Sequence, residues 1–150
     1  NNPDGAIERY RIAAQVRVTA DLVARMALAL DRAGQSGAAD ALVEARLAAS
    51  PADRHLGRLA AARAARRGDW LRARALLEYL TPAMPRDPAL LGELAQARLR
   101  TGDKEGAEQV AASAYALRRG SIAATLGYAD VARSPAVAAA LRAKAERFSP

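Results

Sequence analysis

The chain has 150 residues, 51% of them hydrophobic but only 4% aromatic, and a formal charge of +7 from 23 Lys and Arg against 16 Asp and Glu. It contains no cysteine, which excludes disulfides, cysteine-bound zinc and thiol catalysis, and no run of 18 apolar residues that would suggest a membrane span. Strong helix formers dominate and β-branched residues are sparse, so an all-α protein with a core of Ala, Leu and Val is expected.

Taken in chain order, the opening Asn1-Asn2-Pro3-Asp4-Gly5 has neither an initiator Met nor the basic-then-apolar pattern of a signal peptide, and suggests a piece of a longer protein. Residues 1–19 read as the second helix of a unit whose first helix lies outside the sequence. A strict period follows. Gly34, Gly68 and Gly102 are each 34 residues apart, in a chain with only 10 glycines. The same shift aligns Ala39, Ala73 and Ala107, then Ala27, Ala61, Ala95 and Ala129, then Leu22, Leu56 and Leu90, and finally Pro51 and Pro85. Three full units, 20–53, 54–87 and 88–121, are therefore expected.

In the middle unit, residues 56–67 read as one helix and 70–84 as a second, with Gly68 in a left-handed turn between them and Pro85 as the stop. The Ala columns suit close crossing of helix axes. Leu42, Leu76 and Val110 suit the core between hairpins. Beyond the third unit, 122–133 reads as another first helix, and Ser134-Pro135 opens a last helix over 136–148 with Ser as N-cap and Pro in the first turn. Residues 122–150 thus form a shortened unit with a polar face, as a cap on a stacked array requires.

A 34-residue helix–turn–helix unit with these Gly, Ala and Pro columns resembles the tetratricopeptide repeat. Gly68-Asp69-Trp70-Leu71-Arg72-Ala73 and Thr101-Gly102-Asp103-Lys104-Glu105-Gly106-Ala107 carry the resemblance most clearly. It implies one all-α domain over 1–150, a right-handed superhelical solenoid of antiparallel hairpins with about nine helices, forming the C-terminal part of a bacterial protein. The sequence departs from the family pattern in three ways. Val23, Gly57, Leu91 and Thr125 stand where a large aromatic often opens the first helix. Arg46 and Leu80 replace the usual small residue late in the second helix, where Ala114 conforms. Arg119 replaces the Pro stop of the third unit.

Catalysis finds no foothold in the residue types. His55 is the only histidine, so neither a histidine metal cluster nor a triad is available, and each Gly stands alone rather than in a phosphate loop. No catalytic residue, metal or cofactor is expected. The carboxylates Asp21, Asp31, Glu44, Glu78, Glu93 and Glu108 read as solvated or ion-paired at the surface.

The resemblance implies a concave groove lined by first helices, and it places a recurring Arg column there: Arg32, Arg66 and Arg100, with Arg133 close to the next position. Arg58, His55, Gln96 and Leu99 would stand beside them as electrostatic, polar and apolar contacts. Guanidinium groups grip carboxylates through paired hydrogen bonds, which points to an acidic segment of a partner protein. The competing explanation is local, since a cation at a helix C-terminus is favoured by the backbone dipole alone. A second partner class, nucleic acid, is favoured by the net charge but disfavoured by the absence of an aromatic or Asn/Gln column for reading bases. Some family members clamp a peptide carboxylate with Lys, Asn and Arg. Ala24, Leu28, Leu59, Ala89 and Glu93 occupy the matching places here, so that clamp is absent. The expected function is a non-catalytic interaction scaffold or an assembly module of a larger envelope, secretion or enzyme complex. Self-association through the array ends is a further route, and the compartment, cytoplasmic or periplasmic, is left open.

Overall fold

The computed structural model describes residues 19–147. Within them the chain is all-α, with eight α-helices: α1 (Ala20–Arg32), α2 (Ser36–Ala49), α3 (Arg54–Arg66), α4 (Trp70–Leu80), α5 (Pro88–Arg100), α6 (Lys104–Leu117), α7 (Ile122–Val131) and α8 (Pro135–Glu146). The helix expected within 1–19 lies outside the described residues. None of the eight is long and apolar enough to cross a membrane. The chain divides into two compact units, Asn1–Arg46 and Leu47–Pro150.

The glycine column is the hinge of each hairpin. Gly34, Gly68 and Gly102 have φ of 74°, 81° and 88°, and among the described residues they alone adopt positive φ. Each closes the same pattern of hydrogen bonds. The Gly68 N–H donates to the Ala65 carbonyl (3.0 Å) and the Asp69 N–H to the Ala64 carbonyl (2.9 Å); the Gly102 and Asp103 amides repeat this onto Leu99 (3.1 Å) and Arg98 (2.9 Å). This pair of bonds satisfies the orphan carbonyls of a helix end and needs a left-handed residue, which glycine supplies without steric cost.

A second column escaped the sequence analysis. Thr19, Asp53, Asp87 and Ser121 are spaced 34 apart, and each caps a first helix. Asp53 Oδ1 accepts from the His55 and Leu56 amides at 2.9 and 3.0 Å, and Asp87 Oδ1 from Ala89 and Leu90 at 2.9 and 3.0 Å. Asp69 and Asp103 cap the second helices, accepting from the Arg72 and Gly106 amides. Such a cap is worth about 1 kcal/mol. The same aspartate therefore ends one helix and begins the next, which makes the turn only three residues long.

In the N-terminal unit Val23, Ala27, Ala39 and Val43 are buried, while Leu22 is exposed. In the C-terminal unit each helix from α3 to α8 packs on the next, and α5 also packs on α7. The Ala columns are buried throughout: Ala73 and Ala107 in the second helices, Ala61, Ala95 and Ala129 in the first. Around Ala95, Ala107, Ala111 and Val131 gather Leu99, Val110 and Tyr128.

α4 and α7 end earlier than the sequence suggested. α4 stops at Leu80, and Thr81–Ala83 continues as one 3-10 turn, because Pro82 has no N–H to extend the α-helical ladder. α7 stops at Val131, with Ala132 in extended backbone, so Arg133 stands beyond the helix rather than on it. Gly57, in the place of the large aromatic, is buried because Leu80 fills that space: a Cβ on Gly57 would lie 3.2 Å from Leu80 Cδ2.

Candidate functional site

The first helices α5 and α7 run beside each other over a floor supplied by α6, and between them is a groove of about 240 Å³. Pro88, Ala89, Gly92 and Gln96 come from α5; Ala123, Ala124, Gly127, Tyr128 and Val131 from α7; and Ala111 and Ala114 from α6. One end is set by the first residues of α5 and α7 together with Ser121 and Arg118, the other by Gln96, Tyr128 and Val131.

Glycine shapes this groove. A Cβ built on Gly92 or Gly127 would meet nothing within 4 Å, so neither glycine is demanded by internal packing. Gly57 and Gly106 differ, since a Cβ there would run into Leu80, or into Asp103 and Arg98. Mid-helix glycine costs about 0.5–1 kcal/mol against Ala. At Gly92 and Gly127 that cost leaves bare backbone facing open space on both walls.

The wall carrying Tyr128 is braced from behind. The Tyr115 ring lies 5.8 Å from that of Tyr128, and Lys144 on α8 donates from Nζ to the Tyr115 hydroxyl at 2.6 Å, 5.1 Å from the ring centroid. Among the described residues, Arg118 is the only charged one lining the groove. It is exposed, and among the described residues its guanidinium has no ion-pair or hydrogen-bond partner.

The residues proposed from sequence are distributed differently. Gln96 lines the groove. Leu99 faces the core cluster around Ala95, Ala107, Ala111 and Val131, because its side of α5 turns towards α6. Arg58 is held by two acids at the start of the next hairpin, at 2.9 Å from Asp87, which caps α5, and 2.8 Å from Glu93 on α5. Its hydrogen bond to Glu93 is the main cause holding its pKa above the usual value. The Leu90 N–H, with further help from Arg58, keeps the Asp87 carboxyl below the ordinary range.

Arg100 lies 5.4 Å from the Trp70 ring centroid, a cation–π contact that ties α5 to α4. Arg133 leaves the helical column and pairs with Glu108, its Nε 2.6 Å from Oε2, so the Glu108 carboxyl is lowered and Arg133 raised. His55 and Arg66 are exposed on α3. Arg32 is exposed at the end of α1, in the N-terminal unit. The seven of these residues that lie in the C-terminal unit are not gathered into one site there, and Arg32 belongs to the other unit.

A separate ionic cluster joins α4 to the following hairpin. Arg74 reaches Glu78 (3.0 Å), Thr101 Oγ1 (3.1 Å) and Asp103 (3.2 Å), and Arg98 reaches Glu78 (3.0 Å). Gly106 leaves the room this cluster needs. Its charges compensate one another, and it binds unit to unit.

Of the groove residues, Gly92, Gly127, Arg118 and Tyr128 were missed by sequence reasoning. The available signal was the pair of glycines inside two otherwise good helices.

Comparison of the sequence with family models, and with curated proteins, finds no match. Solved structures do match. A MamA protein from AMB-1 superposes with a TM-score of 0.72 at 18% identity, covering 87% of this chain and 79% of that one. MamA residues 41 to the end, from Desulfovibrio magneticus RS-1, give 0.69 at 17% identity over 91% and 75%. TTC0263, a thermophilic tetratricopeptide-repeat protein of Thermus thermophilus, gives 0.64 at 20% identity over 87% and 71%. The chain has the tetratricopeptide-repeat fold.

Proposed function

We propose that this chain is a non-catalytic protein-interaction scaffold that holds a segment of a partner protein in the groove between α5 and α7. The observation that carries the reading is the groove itself, open and mostly apolar, with two mid-helix glycines that internal packing does not require. The fold supports it, because tetratricopeptide-like hairpins present their first helices as a binding face. Shape and a few anchors would supply the affinity, as at other interfaces where a small buried cluster dominates.

The test is site-specific photo-crosslinking in extracts of the source cell. A photoreactive residue replaces either Gln96, in the groove, or Leu71, which is 74% exposed on α4 outside it. The expected result is one protein captured from Gln96 and not from Leu71. Capture of the same protein from Leu71 alone would overturn the reading.

A further inference from the structure

We infer that the groove between α5 and α7 is an anchor pocket for one or two large apolar side chains of a partner segment that carries a carboxylate beside them, placed to meet Arg118. This rests on the interaction-scaffold reading and names the partner's chemistry. Three observations converge on it.

The first is size. About 240 Å³ is below the ~300–1,000 Å³ typical of sites for drug-sized ligands and cofactors, yet ample for one or two large side chains. The second is the wall. Both glycines present backbone without a Cβ, and neighbouring positions are alanines, so the groove accepts bulk and does not supply it. Pockets lined by small residues complement large ones, and a buried aromatic or aliphatic anchor is the usual dominant contact of an interface.

The third is charge. Among the described residues Arg118 is the one charged residue lining the groove, and no carboxylate of theirs lines it. Asp87, next to the same end, is already engaged by Arg58 at 2.9 Å and by the amides it caps. An incoming carboxylate would therefore find an uncompensated guanidinium able to bind it through two parallel hydrogen bonds. A basic segment would meet Arg118 as a like charge.

A displayed library of random seven-residue peptides, selected on the whole chain, tests the assignment. Selection on the native chain should enrich peptides with Phe, Leu, Ile or Trp within four residues of Asp or Glu. Measured with one such peptide, Gly92→Leu should weaken binding at least tenfold with helicity and melting temperature retained. Gly127→Leu, which fills the groove from the opposite wall, provides the same reading should the first variant fold poorly. Arg118→Glu should exchange the acidic preference for Lys or Arg.

Enrichment of peptides that lack the apolar–acidic pattern, but whose binding is lost in both Leu variants, overturns the assigned chemistry and leaves the groove as a binding site. Peptides indifferent to both Leu variants, or no enrichment at all, overturn the groove as well.

Discussion

The hairpins 54–87 and 88–121 carry the same fold with large and small side chains exchanged. In the second, Leu91 on the first helix is paired by position with Ala114 on the second helix, and both are buried. In the first, the corresponding residues are Gly57 and Leu80, with the large side chain on the other helix and in contact across the pair. Each substitution alone departs from the repeat pattern; together they conserve volume. Packing density, rather than residue identity at a column, is what the repeat maintains. The exchange is accompanied by another difference. The glycine of the first hairpin is filled from inside, whereas Gly92 of the second opens outward onto the groove.

This contrast can be broken most severely at Leu80. Leu80→Ala should cost about 2–5 kcal/mol in urea unfolding, because Gly57 opposite it cannot fill the void. The reverse insertion, Ala114→Leu, should cost about 1–3 kcal/mol by overpacking the hairpin that already holds Leu91. The decisive variant is Gly57→Leu combined with Leu80→Ala, which gives the first hairpin the pattern of the second. It should recover more than about 1 kcal/mol relative to the sum of its single changes, the size of coupling seen between residues in contact. Strict additivity would show that the two positions are independent.

A smaller effect separates the glycines. Gly92→Ala should stabilise the chain by about 0.5–1 kcal/mol, since its Cβ enters open space, while Gly57→Ala should gain little because it crowds Leu80.

The smallest effect concerns pH at the junction of the two hairpins. The folded pKa of Asp87 is depressed, so the stability it confers is present above its unfolded value, about 3.9, and lost as pH falls through the folded one. Asp87→Asn, which keeps the capping oxygen but not the charge, should flatten part of that acid limb. An unchanged pH profile would remove Asp87 from the account.

Much of this was legible in the sequence, and the physical reason is locality. A left-handed turn constrains one residue, so Gly34, Gly68 and Gly102 announced themselves by identity and spacing. The buried Ala columns followed from the same period. The aspartate caps were equally local and equally periodic, but Thr19 and Ser121 replace Asp at the ends of the series and obscure it. The groove was less accessible. Gly92 and Gly127 stand outside the repeating columns, and only the packed helices show that one glycine faces a neighbour's side chain while another faces nothing. Arg58 and Arg100 belonged to first helices, but their charges meet Asp87, Glu93 and Trp70, contacts made between different helices that leave no mark on the periodicity.

The capping column has a consequence for how such a chain can change length. Since Asp53 and Asp87 stand in the same phase, the block 54–87 begins just after one cap and brings the next with it. It also contains its own Gly hinge and both halves of the Gly57–Leu80 exchange. Copying that block in tandem would create a junction in which every helix end finds a familiar partner. Lengthening by whole periods is thus nearly seamless for this architecture, whereas an insertion of any other size would strand a cap. Duplication, more than point substitution, is the mutational step this chain is built to survive.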